Sequence, residues 1–211
     1  MRVRITFSKQ GPLRYTGHLD LHKLWERAAR RAGLPLAYSQ GFHPQPKISL
    51  GAALPLGFSS RCEVMDLRLN EELATNDIAS RLKDNLPTDI QVLNVETVDE
   101  RAPALQTQIL SATYEVHLTE PADGPELTRK VQEIMNAESL PRERRGKSYD
   151  LRPLIEMLSV VTEVNGKVWL RMTLSAREGA TGRPDEVLET LGIPADTARV
   201  ERTRLILASP Q

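Results

Sequence analysis

The chain has 211 residues, 28 Lys+Arg against 28 Asp+Glu, and 40% hydrophobic residues. This is an ordinary globular balance that excludes a wholly disordered, collagenous or coiled-coil chain. No run of about 18 apolar residues exists, which excludes a transmembrane helix, and no membrane partner is expected. The charged start Met1-Arg2-Val3-Arg4-Ile5 has no apolar h-region, so a cytoplasmic protein is expected.

Arg2 to Phe7 alternates Val3, Ile5 and Phe7 with polar residues, the period of a half-buried strand. Gly11-Pro12 ends it. Leu21, Leu24, Trp25, Ala28 and Ala32 recur at three and four, predicting a helix from Leu19 to Ala32 that Gly33 stops. Residues 34–60 read as a strand, the Gly/Pro-rich loop Gly41-Phe42-His43-Pro44-Gln45-Pro46, and an extended stretch through Ile48 and Leu50. A strand over Glu63–Leu69, a helix over Glu72–Leu86 and a strand over Ile90–Val98 follow.

The second half repeats that order without repeating the sequence. Thr113–Leu118 reads as a strand and Pro125–Ala137 as a helix with Pro and Glu in its first turn. Pro141-Arg142-Glu143-Arg144-Arg145-Gly146-Lys147 reads as a basic, mobile connection. Tyr149–Val160 is an extended segment, or contains a short helix around Pro153–Leu158. Asn165-Gly166 turns into a hairpin strand over Val164–Leu174. A helix from Arg183 to Gly192 and a strand over Val200–Leu207 close the chain. Two β-α-β-β-α-β runs predict an α+β protein of tandem ferredoxin-like domains, residues 1–105 and 106–211, with the Gly/Pro-rich loop in the first.

The zero net charge hides an asymmetry. Residues 1–62 carry ten basic side chains (Arg2, Arg4, Lys9, Arg14, Lys23, Arg27, Arg30, Arg31, Lys47, Arg61) against Asp20 and Glu26, a net +8. Six of the nine aromatics lie before residue 59. A basic, aromatic-rich third suits a polyanion, most simply RNA or the ribosome. The alternative is a basic face that docks on acidic protein, including the chain's own acidic half.

The residues with site chemistry crowd into this third. His18 and His22, four apart, share a helix face. A zinc site needs further ligands and no HExxH pattern exists, so neither a metal nor a cofactor is expected. His18 with Asp20 could form an oriented general base of the kind metal-free ribonucleases use, or His18 could cap the helix while Asp20 only complements the helix dipole. Arg27, Arg30 and Arg31 form a positive stripe. With Arg14 and Lys47 for phosphates, and Tyr38 and Phe42 for stacking, it fits single-stranded RNA, against the reading of a solvated helix face. Gln40 and His43 lie in the same stiff loop, which is either a binding loop or a rigid crossover. Cys62 is alone, so a structural buried thiol is expected.

The run Arg14-Tyr15-Thr16-Gly17-His18-Leu19-Asp20-Leu21, with Arg30-Arg31-Ala32-Gly33-Leu34-Pro35 and Tyr38-Ser39-Gln40-Gly41-Phe42, resembles the radical-SAM-linked protein family. This is a bacterial domain of unknown function, encoded beside or fused to a cobalamin-binding-type radical SAM protein. Leu54-Pro55-Leu56-Gly57, Glu63, Asp150-Leu151-Arg152-Pro153-Leu154-Ile155 and Arg183-Pro184 extend the likeness along the chain. His43 departs from it, standing where the family pattern has a small polar residue such as Asn.

The resemblance implies an accessory protein with a radical SAM partner, and it agrees with RNA because family members often lie near genes for RNA processing and ribosomal proteins. The chain lacks the three-cysteine motif of radical SAM enzymes, so it cannot start radical chemistry alone. Two other readings stand beside an RNA-presenting module. One is an endoribonuclease similar in outline to the CRISPR repeat-processing enzymes, with His18 as base and Lys47 or Arg14 stabilising phosphate charge. The other is a scaffold that only docks protein.

Overall fold

The structure, a computed structural model, describes residues 1–144 and 146–208. It is a mixed α+β protein that divides into two compact units, Met1–Ile109 with Ala208, and Leu110–Leu207. Among the described residues no helix is long and apolar enough to cross a membrane.

The first unit runs β1 (Arg2–Lys9), a 3-10 turn at Gly11–Tyr15, α1 (His18–Arg31), β2 (Ile48–Leu50), β3 (Ser59–Arg68), α2 (Thr75–Lys83), β4 (Ile90–Val98) and the short α3 (Leu105–Gln108). Its strands lie in the order β2-β3-β1-β4, with antiparallel pairs throughout. The alternation read in β1 is realised: Val3, Ile5 and Phe7 are fully buried in one core with Leu21, Trp25, Met65, Leu67, Ile78 and Leu82. Phe7 meets Trp25 edge-on at 4.7 Å, a pair contributing about 0.5–1.5 kcal/mol beyond area burial.

Helix α1 ends because its chain turns left-handed at Gly33 (φ +64°). The Gly33 amide donates to the Arg30 carbonyl at 3.1 Å and the Leu34 amide to the Ala29 carbonyl at 3.1 Å, a Schellman closure that only a residue tolerant of positive φ permits.

Residues 34–47 depart from the predicted strand. They make only isolated bridges, Leu36 to Leu69 and Tyr38 to Pro46, because Pro35, Pro44 and Pro46 lack ladder donors.

The polar side of β1 corrects the charge argument. Arg2 and Arg4 point inward onto one buried carboxylate, Asp66, at 2.6 and 2.8 Å. Lys9 is 1% exposed. These three cations complete the fold of the first unit and offer nothing to a polyanion.

The second unit runs β5 (Ile109–Leu118), α4 (Gly124–Asn136), β6 (Pro141–Arg144), β7 (Lys147–Asp150), a 3-10 turn at Arg152–Leu154, β8 (Ile155–Thr162), β9 (Val168–Arg177), β10 (Ala180–Thr181), α5 (Pro184–Leu191) and β11 (Ala198–Leu207). Its main strands lie in the order β8-β9-β5-β11. Tyr114 and Val116 of β5 are buried, as are Leu170, Met172 and Leu174 of β9, Val131 and Ile134 of α4, and Val187 and Leu188 of α5. The short helix considered near Pro153 is the single 3-10 turn, which leads directly into β8.

The basic run read as a connection is a hairpin instead. Pro141–Arg144 pairs with Lys147–Asp150, and Gly146 turns with φ +74°. Arg145 of that run lies outside the described residues. Arg144 holds the hairpin against α5: its guanidinium donates to both carboxylate oxygens of Glu186 at 2.8 and 2.6 Å and to the Tyr149 hydroxyl at 3.3 Å.

Candidate functional site

The segment before α1 is anchored from below. The Lys9 ammonium, buried at the end of β1, donates to the Thr16 carbonyl oxygen at 2.9 Å and the Arg14 carbonyl oxygen at 3.5 Å. The Thr16 amide closes the turn on the Leu13 carbonyl at 2.8 Å. A buried ammonium therefore sets where Gly17 begins the helix and where His18 emerges. Glu63, on the paired strand opposite Phe7, is also buried.

His18 is the first residue of α1. Partial loss of hydration, followed by repulsion from His22, holds its imidazole below the ordinary value of 6.5, while Glu63 pulls the other way. The ring is therefore neutral at pH 7 and can accept a proton. His22, one turn on, places Nε2 3.3 Å from the Ile48 carbonyl oxygen. Asp20 does not orient His18: among the described residues no hydrogen bond joins them, as expected for residues two apart on a helix. Nor do the described residues hold a group of three or more His, Cys, Asp or Glu able to bind a metal ion.

The arginine stripe divides. Arg30 turns away, pairing with Glu26 at 2.8 Å and lying 5.9 Å over the Tyr38 ring. Arg27 and Arg31, without Arg30, join Lys23 along one wall of an open cleft of about 730 Å³. Lys23, Arg27 and Arg31 are spaced by four, so they stack on successive turns. The facing wall is the turn after α2, and the Arg31 guanidinium donates across to the Asn85 carbonyl at 3.0 Å. Asp20 lines the same cleft. Among the described residues neither Lys23 nor Arg27 has a carboxylate partner. Lys23 is a site residue that the stripe Arg27, Arg30 and Arg31 leaves out, and its spacing of four from Arg27 is the signal that marks it in the sequence.

The Gly/Pro-rich loop is closed at its base. Ser39 and Gln45 bond reciprocally, amide to carbonyl at 2.8 Å and amide to hydroxyl at 3.0 Å. Gly41 adopts φ +127°, open only to glycine. Phe42 stands fully in solvent, with Gln40 and His43 exposed beside it. Lys47 is exposed as well, its amide fixed to the Ala37 carbonyl at 2.8 Å.

Arg14 stacks on its neighbour Tyr15 at 4.9 Å, while its Nε is buried without a hydrogen-bond partner. Cys62 is half-buried, so the expected buried thiol is corrected; its amide donates to Ser60 Oγ at 3.1 Å. The site residues thus form an α1 cleft (Asp20, Arg27, Arg31, with Lys23), an N-terminal group (Arg14, His18) and an exposed loop (Tyr38, Gln40, Phe42, His43, with Lys47 at its end).

A family model described as "Uncharacterized protein conserved in bacteria (DUF2344)" matches residues 2–184. No curated protein matches the sequence. Among solved structures, the chain is similar to one described as "Crystal Structure of a Cbf5-Nop10-Gar1 Complex", with 13% identity, TM-score 0.47, and coverage of 96% of this chain and 48% of that one. A second, "Crystal structure of the archaeal box H/ACA sRNP Nop10-Cbf5 complex", gives 13% identity and TM-score 0.45 with 97% and 48% coverage. The chain spans about half the length of these solved chains.

Proposed function

The chain belongs to the DUF2344 family of uncharacterized proteins conserved in bacteria, and we propose that this member is a binding protein whose first unit holds single-stranded RNA for a separate enzyme. The observation that carries the reading is the row Lys23, Arg27 and Arg31 along one open cleft, with no carboxylate partner for the first two among the described residues. Cations left unneutralised by the fold cost nothing to desolvate from an ion pair, and each phosphate they meet releases counterions. Exposed Phe42 offers a stacking face nearby in sequence, as single-strand binders use.

Two further elements belong to the proposal. The strand order within each unit, with the fourth and third strands flanking the first, supports two ferredoxin-like folds. The likeness of Arg14–Leu21 and Tyr38–Phe42 to radical-SAM-linked proteins supports a radical SAM enzyme as the partner to which RNA is presented. A pull-down of the tagged chain from native cells, with and without nuclease, tests the reading. RNA that survives washing and brings the radical SAM protein with it supports presentation. Recovery of that protein alone, unaffected by nuclease, replaces the reading with a protein scaffold.

A second reading rests on His18. A neutral imidazole at the start of α1 is suited to take a proton from a ribose 2′-hydroxyl, which would make the chain a metal-independent endoribonuclease. His18→Ala separates the two: loss of strand cleavage with binding intact supports the enzyme, and an uncleaved strand bound equally by both proteins supports the module.

A further inference from the structure

We infer that the cleft between α1 and the turn after α2 is the seat of one nucleotide of the bound strand, holding its phosphodiester and its base together. The inference rests on the RNA reading above and specifies how that site would choose its ligand.

Three features of the cleft carry it. First, the cationic wall is graded. Arg31 is fastened to the Asn85 carbonyl across the cleft, which ties the helix to the facing turn. Lys23 and Arg27, on the two preceding turns, remain to meet a ligand. Two cations at one helical repeat match a single phosphodiester more closely than an extended run of phosphates.

Second, the lining is also apolar. Leu24, between the cations on α1, and Leu86 with Pro87 on the facing turn line the cleft too. A bare anion gains nothing from these surfaces, whereas a nucleobase buries its faces against them.

Third, Asp20 and Asp84 line the same cleft. Carboxylates repel a free polyanion and accept hydrogen bonds from ribose hydroxyls and base N–H groups. The cleft therefore carries three cations against two carboxylates, a balance suited to one singly charged phosphodiester with a sugar and base attached. Its volume of about 730 Å³ lies in the range of small-molecule sites, large enough for one nucleotide.

The test uses the full chain and a short fluorescein-labelled single-stranded RNA, read by anisotropy against salt. Lys23→Ala/Arg27→Ala should weaken binding by about tenfold or more and lower the salt slope by about 0.7, the loss of the one phosphodiester they hold. Both side chains are peripheral to the core, so the double variant folds. In parallel, methyl spectra should show Leu24 and Leu86 shifting when a nucleoside 5′-monophosphate is added and not when inorganic phosphate is added.

If the double variant binds as wild type while Phe42→Ala/Lys47→Ala weakens binding, the cleft inference is overturned, the cationic row no longer carries the RNA reading, and RNA binding rests on the exposed loop alone. If inorganic phosphate moves the Leu24 and Leu86 methyls equally, the site is a bare anion site and the inference is overturned. If the wild-type chain binds no strand, both fall.

Discussion

The Lys9 ammonium, almost wholly buried, lies 2.9 Å from the carbonyl oxygen of Thr16, two residues before α1 begins. That bond couples the central strand of the first unit to the backbone that presents His18. Lys9→Met keeps the bulk and removes the donor, leaving carbonyls without their charged partner. We predict a loss of about 2–3 kcal/mol, which lowers Tm by roughly 4–12 °C for a chain of this size. Thermal unfolding measures it; an unchanged Tm would show that the turn holds itself.

Asp66 should be more sensitive still. It receives both Arg2 and Arg4, and all three side chains are buried or nearly so. Asp66→Asn leaves two guanidinium groups uncompensated, a loss of about 3–5 kcal/mol. Glu133→Gln serves as the contrast, because Glu133 meets Arg129 in the open, where such pairs contribute about 0–1 kcal/mol. Equal effects of the two substitutions in denaturant titration would contradict this account.

Much of the fold was legible because its elements carry clean periods. Val3, Ile5 and Phe7 alternate, and Leu21, Trp25 and Ala28 recur at helical spacing, so both elements fall where the pattern puts them. Asn165-Gly166 marks its hairpin for the same local reason, with φ +80° at Gly166.

The misreadings share a cause: their determinants are distant in sequence. The hairpin at 141–150 looked like a linker because its strands are charged, and Arg144 finds its carboxylate at Glu186, 42 residues away. The charge excess of residues 1–62 left open a polyanion or the chain's own acids as partner, because Asp66, which takes Arg2 and Arg4, lies beyond it. The cleft was invisible as a cleft because its second wall comes from residues 84–87; Arg30 is the exception, because its partner Glu26 lies one helical turn away and the pairing is legible in the sequence.

The depressed His18 pKa gives a pH dependence with a definite sign. Below the ordinary value of 6.5 the unfolded chain binds a proton that the folded chain resists. Unfolding therefore takes up protons and stability rises with pH through that range. His18 thus leaves the fold unpenalised above pH 6.5 and penalises it increasingly as pH falls from there toward the folded-state pKa. His18→Gln should flatten the fall in stability between pH 7 and pH 5.5, measured by denaturant midpoints. A variant that loses stability on acidification as steeply as wild type contradicts the assignment.

The hairpin over α5 should open when its clamp is removed. Burial pushes the Glu186 carboxyl up, but the Arg144 and Tyr149 hydrogen bonds more than offset this and hold it below the ordinary value of 4.5. The clamp is thus fully formed above pH 4.5 and weakens as pH falls through the folded-state pKa. Arg144→Ala should speed amide exchange within Pro141–Arg144 and Lys147–Asp150 at neutral pH, with strand binding unchanged. Exchange as slow as wild type would show that the pairing of β6 with β7 suffices alone.

The central claim is that Lys23, Arg27 and Lys47, three exposed cations without a carboxylate partner among the described residues, engage RNA phosphates. The most direct measurement is the affinity of the full chain for a short single-stranded RNA across a salt series. A linear fall of log K with log salt is predicted, with a slope of about −1.4 from roughly 0.7 for each of two phosphates, one held by Lys23 with Arg27 and one by Lys47. A salt-independent affinity, or no binding at low salt, would contradict it.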